Sequence, residues 1–250
     1  MIRFIVTVLF VVLFLILSSP IMFVLWLIGK KRSDIKDKAS RAIIHWAFRI
    51  VRYIAGTNLI IKGKENIPPN QGVLYVGNHR SYFDIILNYI SVPGITGFIA
   101  KKEMNRYPLL RVWMRYIHCL FLDRDDIRQG MQVILSGIEK VKSGISIFVF
   151  PEGTRNKSDD EFLPFKAGSL KIAEKSGCPI IPVAINNSDA VFEKHLPKIY
   201  KTTVVIEYGP PIYPQNLDKE AKKILSDTVV KTIKTMYTAN AKLIEDGSNL

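Results

Sequence analysis

The sequence predicts an α/β domain with a mostly parallel central sheet flanked by helices, preceded by one long uncharged helix and one amphipathic helix. Three observations predict it. From Asn58 onward, short apolar runs alternate with stretches of helical periodicity. Those runs are nearly continuously apolar rather than alternating, as strands covered on both faces are. Ahead of them lies a segment with a different composition, which divides the chain into an N-terminal helix pair, residues 1–56, and a domain over residues 57–250.

From Phe4 to Ile28 no side chain is charged, and the run is bounded by Arg3 and by Lys30, Lys31 and Arg32. As one helix it reaches about 37 Å, against about 30 Å of bilayer hydrocarbon. A secretory signal has a shorter apolar stretch and a small-residue cleavage site, and neither pattern is visible. Residues 4–28 are therefore read as a membrane anchor, kinked at Pro20 after Ser18 and Ser19. Two courses stay open for it: spanning the bilayer, or dipping in and returning.

Ser33 is the candidate N-cap of a second helix over Asp34–Ala55, stopped by Gly56. Ile35, Ala39, Ile43, Trp46, Ile50 and Ile54 recur at helical spacing, while Lys36, Lys38, Arg41, Arg49 and Arg52 fall mostly on the other face. A basic amphipathic helix of this kind suits a bilayer interface. Packing against the domain satisfies the same pattern.

Strands are expected at Leu59–Ile61, Val73–Val76, Gly97–Ala100, Leu120–Leu122, Ile145–Phe150, Ile180–Ile185 and Val204–Tyr208. Helices are expected at Tyr82–Ile90, Glu103–Tyr116, Arg128–Ser143, Ala167–Ser176 and Leu217–Asn240. Asn156–Glu161 is a polar loop.

A net charge of +13 invites an anionic partner. Nucleic acid is excluded as the reading: the lysines are scattered, and no helix-turn-helix, zinc-finger or RNP-type pattern occurs. A membrane surface fits the N-terminal segment. Cys119 and Cys178 lie far apart, so neither a cysteine zinc site nor a disulfide framework is expected. No phosphate loop of the Gly-x-x-x-x-Gly-Lys type occurs, and no cluster has metal-ligand spacing. The expectation is no metal and no cofactor.

Two segments carry chemistry. In Gly77-Asn78-His79-Arg80-Ser81-Tyr82-Phe83-Asp84, a histidine follows a strand end and a carboxylate stands five residues on. Ligands collect at the carboxyl ends of strands in open α/β sheets. Asp84 is placed to orient the imidazole of His79, leaving its second nitrogen as a base. Ser81-x-x-Asp84 also fits a capping box. In Phe150-Pro151-Glu152-Gly153-Thr154-Arg155, a second apolar strand turns through a glycine. Backbone N–H groups near Gly153 and the fork of Arg155 suit an anion; a turn closed by an exposed salt bridge fits as well. Lys101 and Lys102 follow one more strand, and Arg124 another. Four strand ends thus deliver a histidine and a set of cations, matched to a phosphate monoester. His45, His118 and His195 have no carboxylate at helpful spacing and receive no role.

The His-x-x-x-x-Asp segment resembles the catalytic motif of glycerolipid acyltransferases, and Phe150–Arg155 is similar to the FPEGTR motif of their 1-acylglycerol-3-phosphate acyltransferase branch. Ala100–Glu103, Phe121–Arg124 and Ile180–Ile185 resemble the family's intermediate segments in order and spacing. The resemblance implies the glycerolipid acyltransferase fold and transfer of an acyl group from acyl-CoA or an acyl-carrier protein to the sn-2 hydroxyl of 1-acylglycerol 3-phosphate. It implies His79 and Asp84 as catalytic, with Lys101, Arg124, Gly153 and Arg155 on the acceptor phosphate and Glu152, Thr154 and Lys102 beside them. The expected partners are a membrane lipid acceptor, the acyl donor and the cytoplasmic face of the cell membrane. Another acceptor, such as glycerol 3-phosphate, or a non-catalytic basic lipid-binding module, is the alternative. Oligomeric state is not legible.

Overall fold

The computed structural model describes residues 1–158 and 162–246. The last part of the polar loop, residues 159–161, lies outside them. Helices α1 (Ile2–Leu17), α2 (Ser19–Gly29) and α3 (Ser33–Ala55) come first. Then follow β1 (Asn58–Lys62), β2 (Leu74–Gly77), α4 (Phe83–Ser91), β3 (Thr96–Lys101), α5 (Pro108–Tyr116), β4 (Leu120–Leu122), α6 (Ile127–Lys142) and β5 (Ser146–Val149). The chain continues through α7 (Lys171–Ser176), β6 (Ile180–Asn186), β7 (Thr203–Tyr208), α8 (Lys219–Lys223) and α9 (Leu225–Asp246). Among the described residues the strands form one sheet of seven, ordered β1-β7-β6-β2-β5-β3-β4. Every neighbouring pair is parallel except β6 with β7. The predicted parallel sheet is present, and each predicted strand end falls within one residue of the observed one.

Strand residues alternate between two cores, as the pleat requires. Tyr75, Phe148, Ile181 and Ile206 face Leu87 of α4, Trp113 of α5 and Ile44 and Val51 of α3. Leu74, Val76, Ile147 and Ile180 face Val133 of α6, Ile172 of α7 and Val229 and Ile233 of α9.

Helix boundaries differ where local chemistry intervenes. The expected Glu103–Tyr116 helix is a 3₁₀ turn, Lys102–Arg106, followed by α5 starting at Pro108. Proline bends the preceding residue out of helix and opens a new one at its first position. The expected Ala167–Ser176 helix likewise begins as a 3₁₀ turn, Ala167–Leu170. The long C-terminal helix is interrupted at Ile224 and reaches Asp246. Ser33 is the first residue of α3 and not its cap, and no side chain caps that end. Gly56, at φ 72°, ends α3 as expected.

The uncharged N-terminal run is broken at Ser18, and α1 and α2 meet at a bend of 46°. Pro20 has no N–H to give, while the Ser19 hydroxyl donates back to Ile16 O at 2.7 Å. Ser18 Oγ also accepts from Trp113 Nε1 at 2.9 Å, which pins the elbow to α5. Phe14 stacks on Trp113 with ring centroids 5.8 Å apart, and Met22 and Leu25 are buried. The ends of this bent rod lie close to α3. A Cβ at Gly56 would lie 3.2 Å from Arg3 Cζ, and one at Gly29 would lie 2.7 Å from Lys36 Cδ. The rod therefore runs antiparallel along α3, which itself packs on α4 and α5. Among the described residues no single helix is long and apolar enough to cross a membrane, although the bent pair is so in combined length and composition.

Candidate active site

β2, β5, β3 and β4 are parallel neighbours, so their carboxyl ends line one edge of the sheet, and β6 extends that edge beyond β2. At about 4.8 Å per strand, the row from β2 to β4 spans about 14 Å. At the end of β2 a Cβ on Gly77 would lie 3.2 Å from the Phe148 ring, so glycine fits the approach. Asn78 is buried and exchanges two hydrogen bonds with the main chain of Ile185: Nδ2 donates to its O and Oδ1 accepts from its N–H, each at 2.9 Å. Its amide stands in for one more rung between β2 and β6 and fixes where His79 departs.

His79 Nδ1 lies 2.8 Å from Asp84 Oδ2. The same oxygen accepts the N–H of Arg80 at 2.7 Å and that of Ser81 at 2.8 Å. Asp84 is fully buried, and its Oδ1 has no hydrogen-bond partner among the described residues. Anchoring the backbone of Arg80 and Ser81 and orienting the imidazole therefore fall on one carboxylate atom. The capping box weighed for Ser81 and Asp84 is not formed: Tyr82 is the N-cap of α4, and its side chain makes no capping hydrogen bond. With Nδ1–H donated to Asp84, the tautomer assigned by this contact leaves Nε2 as the base. The His79 ring stacks on Phe150, with centroids 4.1 Å apart and planes inclined by 16°.

Phe150 opens the turn after β5, in which Gly153 has φ 72° and Glu152 is buried. Glu152 Oε1 accepts the His79 N–H at 2.7 Å, and Oε2 accepts that of Leu163 at 3.2 Å. Burial pushes this carboxyl above its ordinary range, and the two N–H donors oppose the shift. The Asn156 N–H donates to His79 O at 2.7 Å, so the two motif loops are cross-linked.

The predicted cations divide into two groups. Arg155 turns toward the β6 side of His79, its guanidinium 3.8 Å from the Tyr82 ring centroid. Nη1 donates to Glu193 Oε1 at 3.2 Å and Nη2 to Tyr82 Oη at 3.1 Å. The salt bridge weighed for this turn is thus present, with Glu193 as its acid. Arg155, Lys157 and Lys194 line a cavity of about 710 Å³ there. Buried Arg80, paired with Asp189 at 3.1 Å, closes it. On the other side, Lys101 is exposed at the end of β3, and Lys102 is tied to Asp123 at 2.6 Å. Arg124, beyond β4, lines an apolar cavity of about 300 Å³ with Leu122, Val133, Phe150 and Ile172. Burial lowers the Arg124 pKa, and nearby Glu103 opposes that shift. Thr154 is exposed.

Several site residues escaped the sequence reading. Glu193 lies 112 residues from its partner Ser81, in a 3₁₀ turn with no motif of its own. Lys166 lines the apolar cavity, and its Nζ would lie 3.3 Å from a Cβ at Gly153. Away from the site, His118 does meet a carboxylate: Nε2 is 3.0 Å from Asp37 Oδ2, supplied by α3 and invisible to local spacing. Among the described residues no group of His, Cys, Asp or Glu is arranged to hold a metal ion.

A family model described as Acyltransferase matches residues 58–186. The 1-acyl-sn-glycerol-3-phosphate acyltransferase of Borreliella burgdorferi is 31% identical over 192 residues, covering 75% of this chain and 76% of that protein. The protein of the same name from Saccharomyces cerevisiae is 29% identical over 195 residues, 75% of this chain and 63% of its own length. The crystal structure of the 1-acyl-sn-glycerophosphate (LPA) acyltransferase from Thermotoga maritima superposes with a TM-score of 0.82 at 26% identity, covering 96% of this chain and 95% of that one.

Proposed function

This chain belongs to the 1-acyl-sn-glycerol-3-phosphate acyltransferase family, and on that premise we propose that it transfers a fatty acyl group from a thioester donor to the sn-2 hydroxyl of 1-acylglycerol 3-phosphate, giving phosphatidic acid. One observation carries the reading: His79, oriented by Asp84, stacks on Phe150 of the apolar cavity, while its neighbour Arg80 lines a second cavity in which Arg80, Arg155, Lys157 and Lys194 outnumber Asp189 and Glu193. His79 Nε2 removes the proton of the acceptor hydroxyl as its oxygen attacks the thioester carbonyl. Asp84 stabilises the imidazolium. When the tetrahedral intermediate collapses, the C–S bond breaks and the departing thiolate takes the proton back from Nε2. Ser81 and Cys119 are poorly suited to forming an acyl-enzyme. Ser81 Oγ donates to Glu193 at 2.6 Å and accepts the Phe83 N–H at 2.9 Å. Cys119 is buried, and burial pushes its thiol up to about 11.

In this reading Arg155 grips the acceptor phosphate, with exposed Thr154 next to it in the chain, whereas Gly153 lines the apolar cavity with Arg124. Lys101 and Arg124, across the row from Arg155, serve the anionic part of a substrate over the apolar cavity, which holds an acyl chain. Acyl-CoA and acyl-carrier protein both fit as donors, and no cofactor is needed. Residues 1–56 are the membrane unit and the acyltransferase unit starts at residue 57. The bent rod carries exposed Phe23, Val24, Trp26 and Leu27. Its elbow is bonded to α5 and its two ends lie against α3, which supports immersion along one leaflet rather than a crossing; the leaflet of this reading is the cytoplasmic one. Product analysis with labelled acyl donor tests the function. Acylation of 1-acylglycerol 3-phosphate is expected; acylation of glycerol 3-phosphate alone, or none of either, overturns it.

A further inference from the structure

Glu193 makes contacts that a surface acid has no need of. Oε2 accepts the Ser81 hydroxyl at 2.6 Å, while Oε1 accepts the Tyr82 N–H at 2.8 Å and Arg155 Nη1 at 3.2 Å. Ser81 and Tyr82 form the entry to α4, the helix that holds Asp84. One carboxylate therefore fastens Arg155 to the same short segment that orients His79. Tyr82 completes the seat, its ring under the guanidinium and its hydroxyl on Nη2. A guanidinium has five N–H donors. Glu193 and Tyr82 engage one each, so a fork remains for phosphate oxygens.

We infer that Glu193 is a positioning residue for the acceptor, aiming Arg155 so that the bound phosphate stands at a set distance from His79. The inference rests on the reading of Arg155 as the acceptor's phosphate ligand. Without the Glu193 charge the guanidinium loses its in-plane anchor and samples other rotamers. Acceptor binding weakens, while the donor, held elsewhere, is little affected. A plain brace for α4 predicts something different: a lower melting temperature, and loss in both substrates whatever stands at position 155.

The test is a double-mutant cycle in the full chain with Glu193→Gln and Arg155→Lys, reading KM for 1-acylglycerol 3-phosphate and for the acyl donor. Glu193→Gln is expected to raise the acceptor KM about tenfold and the donor KM by less than about twofold. In the Arg155→Lys background the same change should add less than about twofold, because the anchored group is already gone. Multiplicative effects, or equal rises in both KM values, overturn the inference. If Glu193→Gln does not fold, Glu193→Asp enters the same cycle and is read by the same criterion. Wild-type protein that acylates no phosphate-bearing acceptor would remove the proposed function itself; an active wild type with an unchanged Glu193→Gln acceptor KM removes only the role of Glu193.

Discussion

Asp84 Oδ2 serves two backbone donors and an imidazole at once, and substitution there separates those duties. Asp84→Asn offers a single acceptor oxygen and an NH₂ group that points hydrogen at either His79 or the backbone. Turnover should fall by about 10²–10⁴-fold, the range for losing a general base. A residue that only capped α4 would instead cost about 1 kcal/mol of stability and leave the rate near wild type; rate and melting curve together decide. Glu152 poses a related problem on the loop after β5. Both of its oxygens accept N–H groups, from His79 and Leu163, so Glu152→Gln sets an amide NH₂ against one of them. An unsatisfied buried donor costs about 1–3 kcal/mol. The expected result is lower stability with reduced kcat, and unchanged values of both would show that the contacts carry no weight. Arg155→Lys keeps the charge but loses the fork and the flat seat on Tyr82. Acceptor kcat/KM should drop by about 1.5–3 kcal/mol equivalent, and an unchanged value would take Arg155 out of the site.

At the scale of elements, α6 walls the apolar cavity next to Phe150, and Gly130 opens that wall. A Cβ there meets only Leu122 Cδ1, at 3.7 Å. Gly130→Phe puts a ring into the cavity without breaking the helix, because any residue is a better helix former than glycine apart from proline. Product chains should shorten by several carbons, as read by mass spectrometry of the phosphatidic acid formed. An unaltered chain distribution would mean that the acyl group lies elsewhere. Strands were legible because Ile145–Phe150 and Ile180–Ile185 are apolar on both faces, which only a covered sheet satisfies. Helix ends were less so: the Pro108 start and the Ile224 interruption depend on backbone chemistry inside an unbroken periodic pattern. The His79–Asp84 pair was legible because both partners sit on one short segment. The split of the cations was not. The strand ends do form a row, but the side chain of Arg155 crosses to Glu193, and only the fold brings those two residues together. For the same reason the bond of Trp113 to Ser18, which seats the elbow, left no trace in local spacing.

For the molecule as a whole, the bent rod of α1 and α2 has two faces with separate tasks. Met22 and Leu25 join the core, while Phe23, Val24, Trp26 and Leu27 are exposed. Removing residues 1–30 would therefore uncover apolar surface on α3 and α5 as well as remove the proposed anchor, so outward substitution is the cleaner probe. Phe23→Glu with Trp26→Glu should release the protein from vesicles that hold the wild type at high salt, while its melting temperature stays within a few degrees. Residual binding at low salt is expected from the basic α3, since exposed charges are screened within about 10 Å at 0.1 M salt. Retention of the double variant at high salt would contradict immersion of this face. The most direct test of the chemistry is the yield of phosphatidic acid from labelled acyl thioester and vesicle-borne 1-acylglycerol 3-phosphate, compared between wild type and folded His79→Ala. Loss of the base predicts a fall of at least about 10²-fold with an unchanged melting curve; a His79→Ala protein that makes phosphatidic acid at the wild-type rate would contradict acyl transfer through His79.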